Sequence, residues 1–300
     1  MIAFCHIYKT AGTTFTTLLR NHYGWRHFDR PGFRHRILIA KHLKAIKKVY
    51  PFLGSIGGHS VRPYSDLSIA DPSIRYYTFL RDPVERSISH FTWYLRWKAN
   101  DGVLFDDFPD LLKRWADADV NQNVQCRHLS TDANFHSVKE LHAQHPIYFL
   151  QVTDFDTSLI LFREWANLPD MNLSYTMKNT IHDHNERIQV THPDYLQKIR
   201  AFQTRLKQES YFKDLLSVAN REDQALCDWV KNEVWPIQVA NYSGNLRKDV
   251  NAFQEGKIVD ELDKPEPLWP RLYRNTVFKT LKPLLLPTTE PEDAQASPWL

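Results

Sequence analysis

This chain is poor in several features that would assign it to a broad class. Its three cysteines, Cys5, Cys126 and Cys227, are odd in number and far apart, so they make neither a disulfide framework nor a metal-ligand spacing. No stretch approaches the roughly 20 consecutive apolar residues of a membrane-spanning helix. No basic segment followed by an apolar one, the pattern of a secretory leader, opens the chain. The formal net charge is only +3, too small to point to nucleic acid by itself. There is no internal repeat. A reducing compartment suits these absences, and the cytoplasm is the expected location. The Golgi lumen is the alternative for a chain that has lost an N-terminal anchor.

What is present is apolar material for a core. Hydrophobic residues make up 42% of 300 residues, which excludes disorder of the whole chain. One domain over residues 1–244 is expected. Residues 245–300 read as a tail or wrapping arm, because prolines cluster there ("DKPEPLWP", "LKPLLLPTTEPEDAQASPWL") and helical periodicity fades.

Along the domain, strands alternate with helices. A strand is expected at 2–8, then a loop at 9–13 and a helix to about residue 22. The basic, His-rich segment from Arg20 to Arg36 has little periodicity. It reads as a solvated face, a hold for an anionic acceptor, or a membrane-surface contact. "ILIAKHLKAIKKVY" carries helical spacing, "FLGSIGGHSV" a short strand ending in a Gly-rich turn, and "IRYYTFL" a buried strand. "RDPVERSISHFTWYLRWK" opens a helix with Asp82 as N-cap, Pro83 at the first helical position and Glu85 three after the cap. Helices fill 106–145, "PIYFLQV" is a strand, "TDFDTSLILFREWANL" opens with a Thr/Asp cap and runs as a helix, and the text from 192 to 240 is helical. The order implies an α/β fold, P-loop-like and three-layered, with a mostly parallel central sheet flanked by helices. Ligands of such sheets collect at the carboxyl ends of the strands.

The segment "HIYKTAGTTF" lies at such an end. A strand, a tight turn with Lys9 and Gly12, and a helix start place backbone N–H groups and a point charge at an anion. The order differs from G-x-x-x-x-G-K-[ST], where lysine follows the glycines. The other candidates also follow strands. His59 follows the strand of "FLGSIG", Arg81 ends "IRYYTFL", and Ser89 lies about two turns into the next helix. Arg81 as a fork and Ser89 as a hydroxyl donor make a second anion site, with a histidine between the two. Arg86, among Asp82 and Glu85, reads as structural.

"HIYKTAGTTF" with "YYTFLRDPVERSISHFTWY" resembles the sulfotransferases that use 3′-phosphoadenosine-5′-phosphosulfate (PAPS). The likeness is closest to the branch of the heparan-sulfate uronosyl 2-O-sulfotransferases. It takes in "GGHSVRPY", "NVQCRHLS", "FLQVTDFDTSLILFREW" and "YTMKNT", over roughly residues 2–240. The resemblance implies that Lys9, Thr10, Ala11, Gly12, Thr13 and Thr14 hold the 5′-phosphosulfate, and that Arg81 and Ser89 hold the 3′-phosphate. Lys178, Asn179 and Thr180 either close over that phosphate or form an ordinary polar loop. Lys9 serves the bridging oxygen, where charge grows as sulfur departs. His59 is the general base, with His6 and His90 next in line. The branch often has a second histidine two residues earlier, where this chain has Gly57.

No metal is implied, the product nucleotide is adenosine 3′,5′-bisphosphate, and the acceptor is a hydroxyl of a carbohydrate or glycolipid. The competing readings are a P-loop nucleotide kinase and a nucleotide- or glycan-binding scaffold without catalysis.

Overall fold

The computed structural model describes residues 1–29, 37–50, 52–175 and 193–256, together with Leu272. Lys178, Asn179 and Thr180, the arginines at 30, 34 and 36, and the proline-rich stretch beyond residue 256 (Leu272 apart) lie outside the described residues.

Five strands form the sheet, β1 (Ile2–Cys5), β2 (His27–Phe28), β3 (Ser55–Gly58), β4 (Arg75–Leu80) and β5 (Ile147–Gln151), all parallel and in the order β2-β3-β1-β4-β5. β1 is central and buried along its whole length. It pairs with β3 from Ile2–Ser55 to Cys5–Gly58 and with β4 from Ile2–Arg75 to Phe4–Tyr77. A strand covered on both faces must be apolar at consecutive positions, and "IAFC" is.

Alternation then sorts its side chains into two layers. Ile2 and Phe4 join Tyr77, Phe79 and Leu150 against α1 (Gly12–Tyr23) and α7 (Phe155–Trp165), through Phe15, Leu18, Leu19, Leu159 and Phe162. Ala3 and Cys5 join Tyr76, Leu80, Ile147 and Phe149 on the other face. There they meet α2 (Ala40–Val49), α5 (Val124–Leu129), α6 (Phe135–Gln144) and the helix Arg221–Trp229. The three-layer α/β arrangement expected from the alternation of elements is the one observed. A third apolar cluster joins α3 (Pro83–Asn100) and α4 (Phe108–Asp117) to the helices Pro193–Gln208 and Ser210–Ala219.

Two differences from the sequence reading have physical causes. The first strand stops at Cys5 rather than residue 8, because the chain leaves the sheet to wind a turn. The Thr10 hydroxyl donates to the Ile7 carbonyl at 3.0 Å, and Lys9 and Ala11 take left-handed backbone angles (φ 67° and 59°). The two residues of β2 lie in the His-rich segment where no period was visible, and two residues cannot show one. At the other edge, Gln238 satisfies β5: its amide accepts from Phe149 N–H at 3.2 Å and donates to Phe149 C=O at 2.8 Å. Leu246–Glu255, at the start of the stretch read as a tail, is a helix whose Leu246, Val250 and Phe253 pack on the α7 side of the core. Among the described residues no helix is long and apolar enough to cross a membrane.

Candidate active site

From β1 the chain proceeds toward β2 and β3, whereas from β4 it proceeds to β5. The carboxyl ends of the adjacent strands β1 and β4 are therefore the point where the connections diverge, the usual crevice for a ligand in an open parallel sheet. Lys9 lies on the loop after β1, Arg81 directly after β4, and His59 directly after β3.

The β1–α1 loop has the backbone form of an anion cradle. Left-handed residues at Lys9 and Ala11 bracket Thr10, and α1 begins at Gly12 with Ala11 at the cap position. Alanine has no side-chain oxygen to give the first N–H groups, and no side-chain cap is made. Two non-glycine residues in this conformation cost about 1–2 kcal/mol each, and strain of this kind concentrates at functional turns. Thr10 is fully buried with its hydroxyl committed to Ile7, Thr14 is buried, and Thr13 is exposed at the helix start. Gly12 has no alternative. A Cβ there would lie 1.8 Å from the Nε2 of His6, whose ring covers the helix start.

His6 links this loop to His59. Its carbonyl accepts a 2.6 Å hydrogen bond from Nδ1–H of His59, and the two rings lie 4.1 Å apart. A carbonyl only accepts, so Nδ1 carries the proton and Nε2 is the basic nitrogen of the neutral ring. Tyr8 stacks on the other face of His59 at 3.9 Å. Around Tyr8 stand His90 at 5.7 Å and His128 at 5.1 Å, ring to ring. Burial, reinforced by the neighbouring His59 and Lys9, holds His6 well below the ordinary histidine range. Burial with Arg86 does the same to His90, and burial with Arg62 to His128. These three rings are neutral partners of His59 rather than charged ones.

Arg81 brings the second motif to the first. Its Nη1 lies 3.4 Å from the Lys9 carbonyl and its Nη2 3.5 Å from Glu85 Oε2. Burial lowers its pKa, while Glu85 and Asp82 act in the opposite direction. Its backbone is gripped by Gln125, which accepts from Arg81 N–H at 3.0 Å and donates to Arg81 C=O at 2.9 Å. Gln125 is fully buried, and α5, which carries it, is capped from a distant helix by Asp223, bonded to the N–H groups of Gln125 and Cys126. Ser89 is half-buried on α3. Arg86 is wholly buried and bonds Ser87 at 2.9 Å and Asn220 at 3.4 Å, so it belongs to the core.

A recess of about 220 Å³ opens onto His59 and is lined also by His6, Thr13, Thr16, Arg20 and Asp29. Arg20, first of the basic run, is committed to Asp29 at 2.6 Å. Burial pushes the Asp29 carboxyl up, but His27 and Arg20 outweigh it and hold it well below the usual carboxylate range.

The loop Lys9–Thr14, His59 and Arg81 thus share one edge. Three contributors were not singled out from the sequence. Tyr8 and the His6 carbonyl flank His59, and Gln125 fixes the backbone of Arg81. Tyr8 and His6 stand within the quoted loop motif, so their position was the available signal. For Gln125, 44 residues from its partner, there was none.

In the comparison with protein families, the model described as the sulfotransferase family aligns with residues 1–217. Comparison with the curated proteins finds no match.

Proposed function

Because this chain belongs to the sulfotransferase family, we propose that it moves a sulfuryl group from PAPS to a hydroxyl of a carbohydrate or glycolipid, with His59 as general base. The observation that carries this reading is the junction of the two anion motifs, Arg81 Nη1 lying 3.4 Å from the Lys9 carbonyl. Two cationic turns on neighbouring strand ends suit one ligand with two separated anionic groups. PAPS fits: an uncapped helix start with a left-handed turn suits its 5′ end, and a guanidinium, with a serine hydroxyl on the helix that follows it, suits its 3′-phosphate.

When bound, PAPS supplies the sulfuryl group and a bisphosphate that leaves with the bridging oxygen. The Gly12–Thr14 N–H groups would hold the 5′-phosphate, with Lys9 meeting the charge that grows on the bridge. Such charge-assisted contacts are worth about 1.5–3 kcal/mol each. Arg81 and Ser89 would hold the 3′-phosphate. His59, kept in its Nδ1–H tautomer by the His6 carbonyl, offers Nε2 to the acceptor hydroxyl. The proton passes to Nε2 as the acceptor oxygen bonds sulfur.

The test joins binding to turnover. Adenosine 3′,5′-bisphosphate should raise the melting temperature and ATP with magnesium far less. Labelled sulfate should pass from PAPS to glycan or lipid fractions. His59→Ala should keep the nucleotide stabilisation and lose roughly 10²–10⁴-fold in transfer. Equal stabilisation by ATP points to a kinase, and nucleotide binding without transfer to any fraction points to a scaffold.

A further inference from the structure

Charge is divided unevenly along this chain. Residues 1–65 carry eleven lysines and arginines and a single acid, Asp29, whereas residues 66–300 carry 27 basic and 34 acidic residues. The modest net charge therefore conceals a basic half, which builds β1, β2 and β3 with α1 and α2, and an acidic remainder. Asp29 itself is engaged by Arg20.

The outer side of α2 presents part of that charge to solvent. His42, Leu43 and Ile46 are its buried residues, and on the opposite face Lys41, Lys44 and Lys48 are exposed at i, i+3 and i+7. The helix contains no carboxylate. Among the described residues neither Lys44 nor Lys48 is in an ion pair, whereas Lys47 is bound to Asp71 at 3.1 Å. α2 returns the chain to the amino end of β3, and just past its last turn stands Phe52, 65% exposed. Parallel pairing of β2 with β3 puts the residues just before each strand at one end of the sheet. There the half-buried Trp25 meets Phe52 edge-on, ring centroids 5.7 Å apart. The exposed Arg26 donates from Nε to the Phe52 carbonyl at 3.1 Å, which fixes the guanidinium beside the aromatic residue.

We propose that this amino end of the β2–β3 side docks on an anionic lipid bilayer. Phe52 enters the boundary between headgroups and acyl chains, and Arg26, Lys44 and Lys48 meet the lipid phosphates and carboxylates. The combination of apolar and basic side chains selects a bilayer. Lysines alone would suit any polyanion, but a soluble polyanion has no apolar interior to receive an exposed phenyl ring. Docking here is independent of the sulfotransferase reading, and it would orient the site. Lys9, His59 and Arg81 follow the carboxyl ends of their strands, so the docked protein turns them away from the lipid and toward water.

The experiment uses the full chain in vesicle sedimentation. Phosphatidylcholine vesicles containing phosphatidylserine should bind the protein, and vesicles of phosphatidylcholine alone should not. Raising salt from about 0.1 to 0.5 M should release most of it, since screening shortens the reach of surface charge. The double variant Lys44→Glu, Lys48→Glu should lose about tenfold or more in affinity, and Phe52→Ala about threefold or more. Lys198→Glu with Lys213→Glu, the same charge change on two exposed lysines of the acidic remainder, should leave binding within about twofold. Adenosine 3′,5′-bisphosphate should not displace the protein, because the turns after β1 and β4 lie at the other ends of the strands. Four results overturn the docking surface: no binding to the mixed vesicles, equal losses in the two lysine pairs, a Phe52→Ala protein that binds like the parent, or displacement by the nucleotide, which would put the lipid charge on the donor turns. Binding of soluble heparin fragments through Lys44 and Lys48, without vesicle binding, would replace the bilayer by a polyanion.

Discussion

The turns after β1 and β4, proposed to hold the two anionic ends of the donor, are built by opposite means. After β1 the chain uses its backbone: left-handed residues at Lys9 and Ala11, a helix start without a side-chain cap, and a glycine against a histidine ring. After β4 the helix start is already spoken for. Asp82 accepts from the Glu85 N–H at 2.8 Å and Pro83 removes another donor, so this helix start carries its own carboxylate where the first has no side-chain cap. An anion there must be met by a side chain, Arg81, whose aim depends on Gln125. A backbone cradle fails when a Cβ is added to it. A side-chain fork fails when its distant support is removed.

The largest effect should come from adding that Cβ. In Gly12→Ala the new methyl overlaps the His6 ring, and His6 carries the carbonyl that orients His59. A displacement of this order costs about 10²-fold in rate, so transfer should fall at least that much and the nucleotide-induced rise in melting temperature should disappear. Loss of nucleotide binding with an intact rate at saturating donor would break the link drawn from loop to base.

Gln125→Leu probes the other turn. It keeps the shape but leaves the Arg81 N–H unmatched, at about 1–3 kcal/mol, and its C=O with the Cys227 thiol at 3.5 Å. Stability should drop by that order in urea unfolding, and calorimetry should find weaker adenosine 3′,5′-bisphosphate binding. Rates at saturating donor should change only a few-fold, because His59 follows β3 and not this turn.

A pH titration sharpens the comparison further. His6 packs on the first turn, His90 lies on α3 beside Arg86 and His128 beside Tyr8, and all three are depressed by burial. The unfolded chain binds protons near pH 6.5 and these native rings do not, so stability is full above that pH and declines below it. Each contributes up to about 1.4 kcal/mol per pH unit. Melting temperature should therefore fall between pH 7 and 5. Asp29, depressed in the native state, loses its contribution only at far lower pH. A flat profile from 7 to 5 would contradict the neutral assignment of these rings.

The smallest effect concerns Ala11. Glycine relieves the left-handed strain, worth about 1–2 kcal/mol, but adds about 0.4–1 kcal/mol of freedom to the unfolded chain. Ala11→Gly should stabilise by about 0.5 kcal/mol in denaturant titration with nucleotide affinity nearly unchanged. A marked loss of affinity would mean that the strained alanine shapes the cradle.

Much of this was legible in the sequence because it is local. The apolar runs "IAFC" and "RYYTFL" become β1 and β4 because strands covered on both faces need apolar residues at consecutive positions. The Asp82–Pro83–Glu85 start of α3 follows from capping chemistry within one turn. The phosphate-type turn at Lys9 to Thr14 is likewise a property of adjacent residues, and so is the family likeness that the family model bears out. The two-residue β2 left no periodic trace, since a period needs several repeats to be seen.

Tertiary structure alone decided which distant groups meet. Thr10, read as a donor contact, has its hydroxyl turned inward to Ile7. His59 acquires its tautomer from a carbonyl 53 residues away, and Arg81 its aim from an amide 44 residues away. Lys44 and Lys48 could be placed on one helix face from their spacing, but the meeting of Arg26 with Phe52 depends on the parallel pairing of β2 with β3. Local rules govern backbone conformation because turns, caps and alternation act between neighbours. Orientation of a side chain at the site depends on through-space partners, and those are brought together only when the parallel sheet sets the ends of β1, β3 and β4 side by side.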